Sequence, residues 1–298
     1  MNIIINLLLI YLFVLIGFIA KLIFKDQIQE RSFIIIYIYF LMPIIMIWGI
    51  LSKPLQGDLF MVSAYFLLIL IVGYILTFTL SYFILNDPKD KAIATITGLI
   101  GNTGNMGIPL GLAIYGIESV AYTAMINLVN SIFVMVIGAY TYSRGSYSFK
   151  QSIINVCKLP MIWASVMAFA IHVLNIHISE DFFHFLEMGA YTGLVLQLII
   201  FGMFLAAVSW HNSYPKLASI TLTAKFLILP ALAFVCIHFF QLRPFYAQIL
   251  MLQTLVPVAI NNVNLAALYH CDPHKVAWVS FISFILASLT IPVGMLLF

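Results

Sequence analysis

Glycines, asparagines and a proline alternate in one short stretch of the chain, residues 101–109. Glycine and proline interrupt a regular helix, and the main-chain groups that they free cannot face lipid. The carboxamides of Asn102 and Asn105 can donate a hydrogen bond to an anion or accept one from a cation. Secondary transporters hold substrates and ions at interrupted membrane helices of this kind. The stretch therefore predicts a substrate-binding break, and its predicted helix-breaking residues are Gly101, Gly104, Gly107 and Pro109.

A second stretch combines proline and asparagine, without glycine, and places Pro257 shortly before Asn261 and Asn262. It lies at the corresponding position in the second half of the chain. Two interrupted helices in corresponding positions are the best pointer in a sequence to a transport site. We therefore predict that Pro257 breaks this helix and that both asparagines line the site. Asparagines can also cap half-helices or bind a crossing helix, and this alternative stays open for each of them.

Lys225 is a basic residue well inside a hydrophobic segment. Because it follows Lys216 by nine residues, it lies roughly 13 Å deep at a helical rise of about 1.5 Å per residue. A charge at such a depth costs at least about 2.5–3.5 kcal/mol, so the side chain must face a cavity or a partner. This position favours a role in attracting or holding an anion. The alternatives are that the side chain snorkels to the cytoplasmic surface or pairs with main-chain carbonyls.

Other kinds of chemistry have no support in the sequence. No Asp or Glu lies in the core of a hydrophobic segment, and no zinc-protease, nucleotide-binding or Ser-His-Asp motif occurs. The cysteines are too scattered for a disulfide framework or a metal site, at positions Cys157, Cys236 and Cys271. We therefore predict a protein that is not an enzyme and that needs no cofactor and no metal.

The elements that position these residues are membrane helices. The chain has 298 residues, of which 64% are hydrophobic and only 8% charged, whereas soluble domains are about a quarter charged. A helix needs about 20 apolar residues to cross a bilayer. Ten segments meet this requirement, at 3–24, 32–51, 59–85, 92–115, 119–142, 153–175, 185–209, 217–240, 245–269 and 276–297. The sequence therefore predicts an all-α polytopic membrane protein, with the two polar stretches in segments four and nine.

The distribution of lysine and arginine predicts the topology. With the N-terminus outside, ten of these residues fall in the odd-numbered loops, and only Lys53 and Arg243 fall in the even-numbered loops. By the positive-inside rule, both termini then lie on the non-cytoplasmic side of the cell's inner membrane. The net charge of +3 thus reflects topology, and we expect no nucleic-acid partner.

The loop at 143–152 divides the ten segments into two groups of five. Because five is an odd number of crossings, the second group must insert upside down relative to the first. Leu112-Ala113-Ile114-Tyr115 in the first half also matches Ala266-Ala267-Leu268-Tyr269 in the second. We therefore predict two inverted repeats, 1–147 and 148–298.

Several motifs occur in order along almost the whole chain: Asn102-x-Gly104-Asn105-x-Gly107-x-Pro109, Lys225-x-x-x-x-Pro230, Val256-Pro257-x-Ala259 and Leu289-Thr290-Ile291-Pro292. In these motifs the chain resembles the auxin efflux carrier family, particularly its bacterial members of the malate and malonate permease type. The resemblance implies ten helices in two inverted repeats, with broken helices four and nine crossing at Pro109 and Pro257. It implies a fold related to bile acid:sodium symporters and sodium/proton antiporters.

The resemblance also implies how the molecule works. Segments 1, 2, 6 and 7 would form a scaffold, often dimeric, and segments 3–5 and 8–10 a part that moves in an elevator-like manner. Plant members export auxin, and bacterial members are associated with malate, malonate and similar carboxylates. The chain lacks the long cytoplasmic loop of the large plant members, so regulation through that loop does not carry over.

The predicted function is therefore transport of a small organic anion, such as a carboxylate, across the bilayer. A sodium- or proton-coupled symporter of the same fold is the alternative, in which asparagine side chains and freed carbonyls hold the cation. A membrane sensor that binds a ligand without moving it is a third reading. The short loops argue against a sensor, because they leave little surface for an output.

Overall fold

The structure, a computed structural model, describes residues 3–54, 57–143, 150, 154, 157–206, 213–259 and 261–295. These residues are almost entirely helical. The helices in chain order are α1 (Ile3–Phe24), α2 (Glu30–Leu51), α3 (Gly57–Ile84), α4 (Pro88–Leu99), α5 (a wide turn Thr103–Gly107 continued by Ile108–Tyr115), α6 (Ile117–Tyr142), α7 (Pro160–Val173), α8 (Glu180–Ala206), α9 (Pro215–Phe239), α10 (Pro244–Leu255), α11 (Asn261–Leu268) and α12 (Pro273–Met295).

Within the described residues, seven helices are long and apolar enough to cross a membrane, namely α2, α3, α6, α8, α9, α12 and the span Leu8–Gln27 that contains most of α1. The shorter α7 has 14 residues. Predicted segment four is divided into α4 and α5, and predicted segment nine into α10 and α11. The prediction of an all-helical, many-spanning membrane protein is therefore confirmed, and each predicted segment contains helix. The inverted-repeat arrangement stays a prediction, and its boundary between residues 147 and 148 lies outside the described residues.

Four short stretches within the helices form π-helical turns, in which main-chain hydrogen bonds span five residues instead of four. They are Tyr37–Leu41, Thr103–Gly107, Val134–Gly138 and Ala224–Ile228. Three of the four are followed at the same distance by a proline, at Pro43, Pro109 and Pro230. Each proline lies in the first turn of the regular helix that follows, where its missing N–H is tolerated.

The chain forms two compact units, and the first comprises Met1–Phe60, Gly104–Leu128 and Ile154–Ala207 as far as these are described. In this unit α1 and α8 pack backbone to backbone. A Cβ atom added to Gly17 would overlap the carbonyl of Ile199, and one added to Gly202 would overlap the carbonyl of Val14. Small residues permit such close approach between membrane helices.

The same unit packs α8 against α2. A Cβ atom on Gly193 would lie 2.8 Å from Cδ1 of Ile45 and 3.1 Å from Cβ of Leu41. Further along α8, Gln197 is completely buried. The close contacts of Gly193 with α2 therefore position the part of α8 that carries Gln197 into the interior of the unit.

The second unit comprises Met61–Thr103, Val129–Ile153 and Val208–Phe298 as far as these are described. In it α4 packs tightly against α9, because a Cβ atom on Gly98 would lie 2.8 Å from Cβ of Ala224. At the other end of α4, Asp90 accepts a hydrogen bond of 2.6 Å from the ammonium of Lys275 at the start of α12. These contacts hold both ends of α4 and so position the interruption that follows it.

Candidate functional site

The two interruptions pair with each other inside the second unit. Helix α4 ends at Leu99 and α10 at Leu255, and the next residues of both segments are extended. Gly101 lies opposite Val258 in an antiparallel bridge. The two extended stretches therefore cross in opposite directions, as two interrupted segments of opposite orientation would.

Two main-chain hydrogen bonds close this crossing. The N–H of Asn102 donates to the carbonyl of Pro257 at 2.8 Å, and the N–H of Ala259 donates to the carbonyl of Ile100 at 2.9 Å. Each stretch therefore satisfies part of the main-chain hydrogen bonding that it loses by leaving the helix. Buried polar main chain of this kind is tolerated at membrane depth only inside protein or beside a cavity.

Lys225 extends to this crossing. Its Nζ would lie 2.6 Å from a Cβ atom added to Gly101, so the absence of a side chain at Gly101 makes room for the ammonium. The residue is only 1% exposed, and it lies in the π-helical turn of α9. It is the single charged residue among the buried side chains of the described part of the chain. The lysine is thus turned inward to the main chain of the first interruption and does not extend to a surface.

Two carboxamides bind the main chain of the crossing, and a third is buried in the helix that leads into it. Asn130 of α6 donates from Nδ2 to the carbonyl of Gly101 at 3.1 Å, and Asn262 of α11 donates to the carbonyl of Ile100 at 3.5 Å. Gln253 of α10 is fully buried. The Oδ1 atoms of both asparagines and both polar atoms of the glutamine have no hydrogen-bond partner among the described residues. Buried polar atoms are rarely left in this state, so these atoms are available to a ligand or to water.

Helix α12 also contributes a contact. The hydroxyl of Ser283 accepts a hydrogen bond from the N–H of Val258 at 3.0 Å and donates to the carbonyl of Ser280 at 2.7 Å. This serine supports the second interruption from behind, opposite the position where Val258 meets Gly101. The extended linker of the second interruption is therefore held on two sides.

A second group of buried polar residues surrounds Gly104, within the first unit. Gln197 of α8 donates from Nε2 to the carbonyl of Gly104 at 3.2 Å, and the hydroxyl of Tyr37 donates to Oε1 of Gln197. A Cβ atom on Gly104 would lie 2.8 Å from Oδ1 of Asn127. The next residue, Asn105, is half-buried. The first turn of α5 is therefore enclosed by polar side chains of three helices.

The arrangement at the crossing contains both kinds of helix end. Helices α4 and α10 end there, while α5 and α11 begin just after the extended residues. Helix beginnings attract anions and helix ends attract cations, so the dipoles alone do not choose a ligand. Among the buried side chains of the described residues, Lys225 is the one of a charged type, and its charge is positive. No group of three or more possible metal ligands occurs among the described residues.

Comparison with known proteins gives the family. The family model of the membrane transport proteins matches residues 2–295. An uncharacterized transporter of Methanocaldococcus jannaschii is 24% identical over 290 residues, which cover 93% of this chain and 92% of that protein. The chain belongs to the membrane transport protein family. This is the auxin efflux carrier family that its motifs resemble.

The predicted site residues of the transporter fall into two groups. Gly101, Asn102, Lys225, Pro257 and Asn262 are all buried in the second unit. The predicted residues of the first unit are Gly104, Asn105, Gly107 and Pro109. Asn261 is exposed, unlike its neighbour Asn262, and it has no described contact in the crossing.

The interruption in the first segment is narrower than the predicted stretch 101–109. Helix α5 of the transporter begins at Thr103, so Gly104, Gly107 and Pro109 lie inside a helix. Pro109 lies in the first turn of the regular helix that follows the wide turn, a position where proline is tolerated. Glycine at position 104 serves close packing against Asn127 rather than a break.

The structure adds Asn130, Gln253, Ser283 and Gln197 to the polar residues of the transporter. Each lies inside a helix, without glycine or proline beside it. Asn130 and Gln253 could have been noticed as amides in hydrophobic surroundings, since such residues usually bind other helices or a substrate. Nothing in the local sequence indicates which main-chain atoms Asn130, Ser283 and Gln197 meet.

Proposed function

We propose that the protein is a secondary transporter for a small organic anion, most simply a carboxylate. The observation that carries this proposal is the buried ammonium of Lys225 beside the main chain of Gly101. An ion taken out of water is costly unless an opposite charge accompanies it. No Asp or Glu is among the buried residues of the described part of the chain. An anionic substrate would supply the missing charge.

The neutral groups around the crossing suit a carboxylate as well. Nδ2 of Asn102 and Nε2 of Gln253 are buried donors without a described partner. Donors and a cation together can bind both oxygens of a carboxylate, and such charge-assisted hydrogen bonds are stronger than neutral ones. We therefore assign substrate binding to Asn102, Lys225 and Asn262, with Gln253 as an additional donor.

The proposed mechanism is alternating access around the two interruptions. In its elevator form, segments 3–5 and 8–10 move relative to segments 1, 2, 6 and 7, which could also form a homodimer. The protein would lie in the inner membrane with both termini on the non-cytoplasmic side. Malate, malonate and auxin-like acids are the substrates to test first, since they fit the family and the single buried positive charge. Auxin-like acids carry one carboxylate and the other two acids carry two, so the comparison measures how many charges the site accepts.

The decisive experiment is uptake of these acids into proteoliposomes, paired with a binding titration. We expect Lys225→Gln to weaken binding of the carried acid at least about 100-fold, because removal of one partner of a buried ion pair costs about 3–5 kcal/mol. Lys216→Gln is the matched control, because Lys216 lies at the exposed start of the same helix. Equal affinity for the acid in both variants would exclude Lys225 as the anion-binding group.

Coupling to sodium or protons is the second candidate. The observation in its favour is the group of buried acceptor atoms without described partners, Oδ1 of Asn130, Oδ1 of Asn262 and Oε1 of Gln253. Oxygen atoms of this type can bind a small cation, although the ammonium of Lys225 would repel it. Uptake measured with and without sodium and pH gradients separates the two candidates. Flux that follows the acid gradient and the membrane potential alone supports the uncoupled carrier.

A further inference from the structure

The sequence explains why the carbonyl of Gly104 lacks a main-chain donor. In a π-helical turn each carbonyl pairs with the N–H five residues later. For Gly104 that residue is Pro109, which has no N–H. The π-helical turn Thr103–Gly107 therefore leaves one carbonyl unpaired near the beginning of α5.

A side chain from another helix takes the place of the missing donor. Nε2 of Gln197 donates to the carbonyl of Gly104 at 3.2 Å. The other end of the same carboxamide accepts a hydrogen bond from the hydroxyl of Tyr37. Both side chains are buried, and Gln197 is 0% exposed. Because the carbonyl of Gly104 can only accept, the carboxamide nitrogen must face it, and the carboxamide oxygen is left to accept from the tyrosine.

The other two turns of this type lack such a contact. In α2 the equivalent carbonyl belongs to Ile38, ahead of Pro43, and in α9 it belongs to Lys225, ahead of Pro230. Among the described hydrogen bonds, neither carbonyl accepts a side chain from another helix, whereas Gly104 does. The contact is therefore specific to the turn that follows the first interruption.

We propose that Gln197 and Tyr37 are positioning residues for transport, which hold the first turn of α5 in place in the conformation that the structure shows. Gly104 and Asn105 share one peptide unit, so fixing the carbonyl of Gly104 also fixes the main chain that carries the Asn105 side chain. The same contact sets the residue at which the helix resumes after Asn102. This inference rests on the proposed transport function, because it assigns to Gln197 an effect on substrate affinity.

Substitutions at Gln197 test the role of its donor. Gln197→Leu removes both hydrogen bonds and should raise the KM for uptake about tenfold, the factor that one hydrogen bond typically carries. Tyr37→Phe should raise it less, because the carboxamide can still reach Gly104. Thr192→Val is the control, since Thr192 lies on the same helix and its described hydrogen bond is to the carbonyl of Met188 within that helix.

Gln197→Glu gives a readout that a merely structural role would not produce. Its ionised carboxylate can accept from Tyr37 but cannot donate to Gly104, whereas the protonated acid can do both. Relative to the unsubstituted protein at the same pH, uptake by this variant should therefore rise as the pH falls. Gln197→Leu should show no such recovery. A Gln197→Glu variant whose relative uptake is independent of pH would overturn the proposal.

Hydrogen–deuterium exchange separates failure of this inference from failure of the transport function. The amides of residues 104–112 should exchange about tenfold faster in Gln197→Leu than in Thr192→Val, if the contact holds this turn. Equal exchange in the two variants would overturn the positioning role even in an active transporter. Faster exchange in a protein that carries none of the tested acids would instead remove the proposed function and leave the contact established.

Discussion

The two interrupted segments use proline in different ways. In the second segment, Pro257 lies in the extended linker itself, and its carbonyl accepts the N–H of Asn102. In the first segment, Pro109 lies inside α5, beyond the interruption. One proline therefore takes part in the crossing, while the other frees the carbonyl of Gly104 for a side chain of the neighbouring helix.

This difference shows that matching residue types in two halves of a chain do not imply matching roles. The first linker is short, because α4 ends at Leu99 and the wide turn begins at Thr103. The second linker runs from Val256 to the start of α11 at Asn261. The first interruption depends on a glycine that lets a lysine approach, and the second depends on a proline and on support from Ser283.

The largest effect is expected at Gly101, where the first interruption has no space for a side chain. Gly101→Val should reduce uptake about 100-fold, because a β-branched side chain would displace Lys225 and overpacking a buried site costs about 1–3 kcal/mol. Gly57→Val is the control, since a Cβ atom there meets nothing within 4 Å. Uptake per folded protein, measured in proteoliposomes, decides the outcome. Similar uptake in both variants would show that the approach of Lys225 is not needed.

The two prolines should differ in the size of their effects. Pro257→Ala should lower uptake about tenfold, because an added N–H in the buried linker has no partner and a lost or unmet hydrogen bond costs about 1–3 kcal/mol. Pro109→Ala should lower it less, since the new N–H can pair with Gly104 and compete with Gln197. Both variants should retain near-normal amounts of folded protein in the membrane. A larger loss of uptake for Pro109→Ala would reverse the assigned roles.

The neighbours Asn261 and Asn262 allow a comparison within the second interrupted segment. Asn262→Ala should raise the KM about threefold to tenfold, the range expected for one hydrogen bond to a ligand. Asn261→Ala should change the KM by less than about twofold, because Asn261 is exposed and has no described contact in the crossing. Uptake kinetics over a range of substrate concentrations measure both values. An equal effect of the two substitutions would mean that Asn261 also binds substrate in another conformation.

The smallest effect is expected where the two interrupted segments begin, far from the crossing. Asp90 at the start of α4 forms an ion pair with Lys275, and α10 has no counterpart among the described ion pairs. Asp90→Asn should lower the free energy of unfolding by about 1 kcal/mol or less, because the pair is partly exposed to solvent. Thermal unfolding in detergent measures this change. Loss of uptake without loss of stability would instead give this pair a role in transport.

The sequence predicted the two interruptions from local rules, and it left open whether Lys225 faces inward or snorkels to the surface. Glycine and proline mark where a helix cannot continue, and a lysine deep in an apolar segment must find polar surroundings. The sequence did not predict that Asn130 and Ser283 bind the main chain of the crossing. Their partners lie on other segments, so these contacts depend on tertiary packing.

The same limit applies to Pro109, which the motif places among the helix-breaking residues. A proline after three glycines indicates a break, but whether it lies in the linker or in the helix beyond depends on where the helix resumes. Here the contact between Gln197 and Gly104 accompanies an early resumption at Thr103. That contact joins residues 93 positions apart in the chain, so no local pattern could reveal it.

The most direct test of the central claim is a structure of the transporter with a bound carboxylic acid. The proposed function predicts a carboxylate oxygen at about 2.8 Å from Nζ of Lys225, the usual length of such a charge-assisted hydrogen bond. It also predicts that the acid contacts the carboxamide of Asn102 or Asn262. An acid bound elsewhere, with the ammonium of Lys225 still packed against Gly101 and unpaired, would contradict the assignment of the crossing as the anion site.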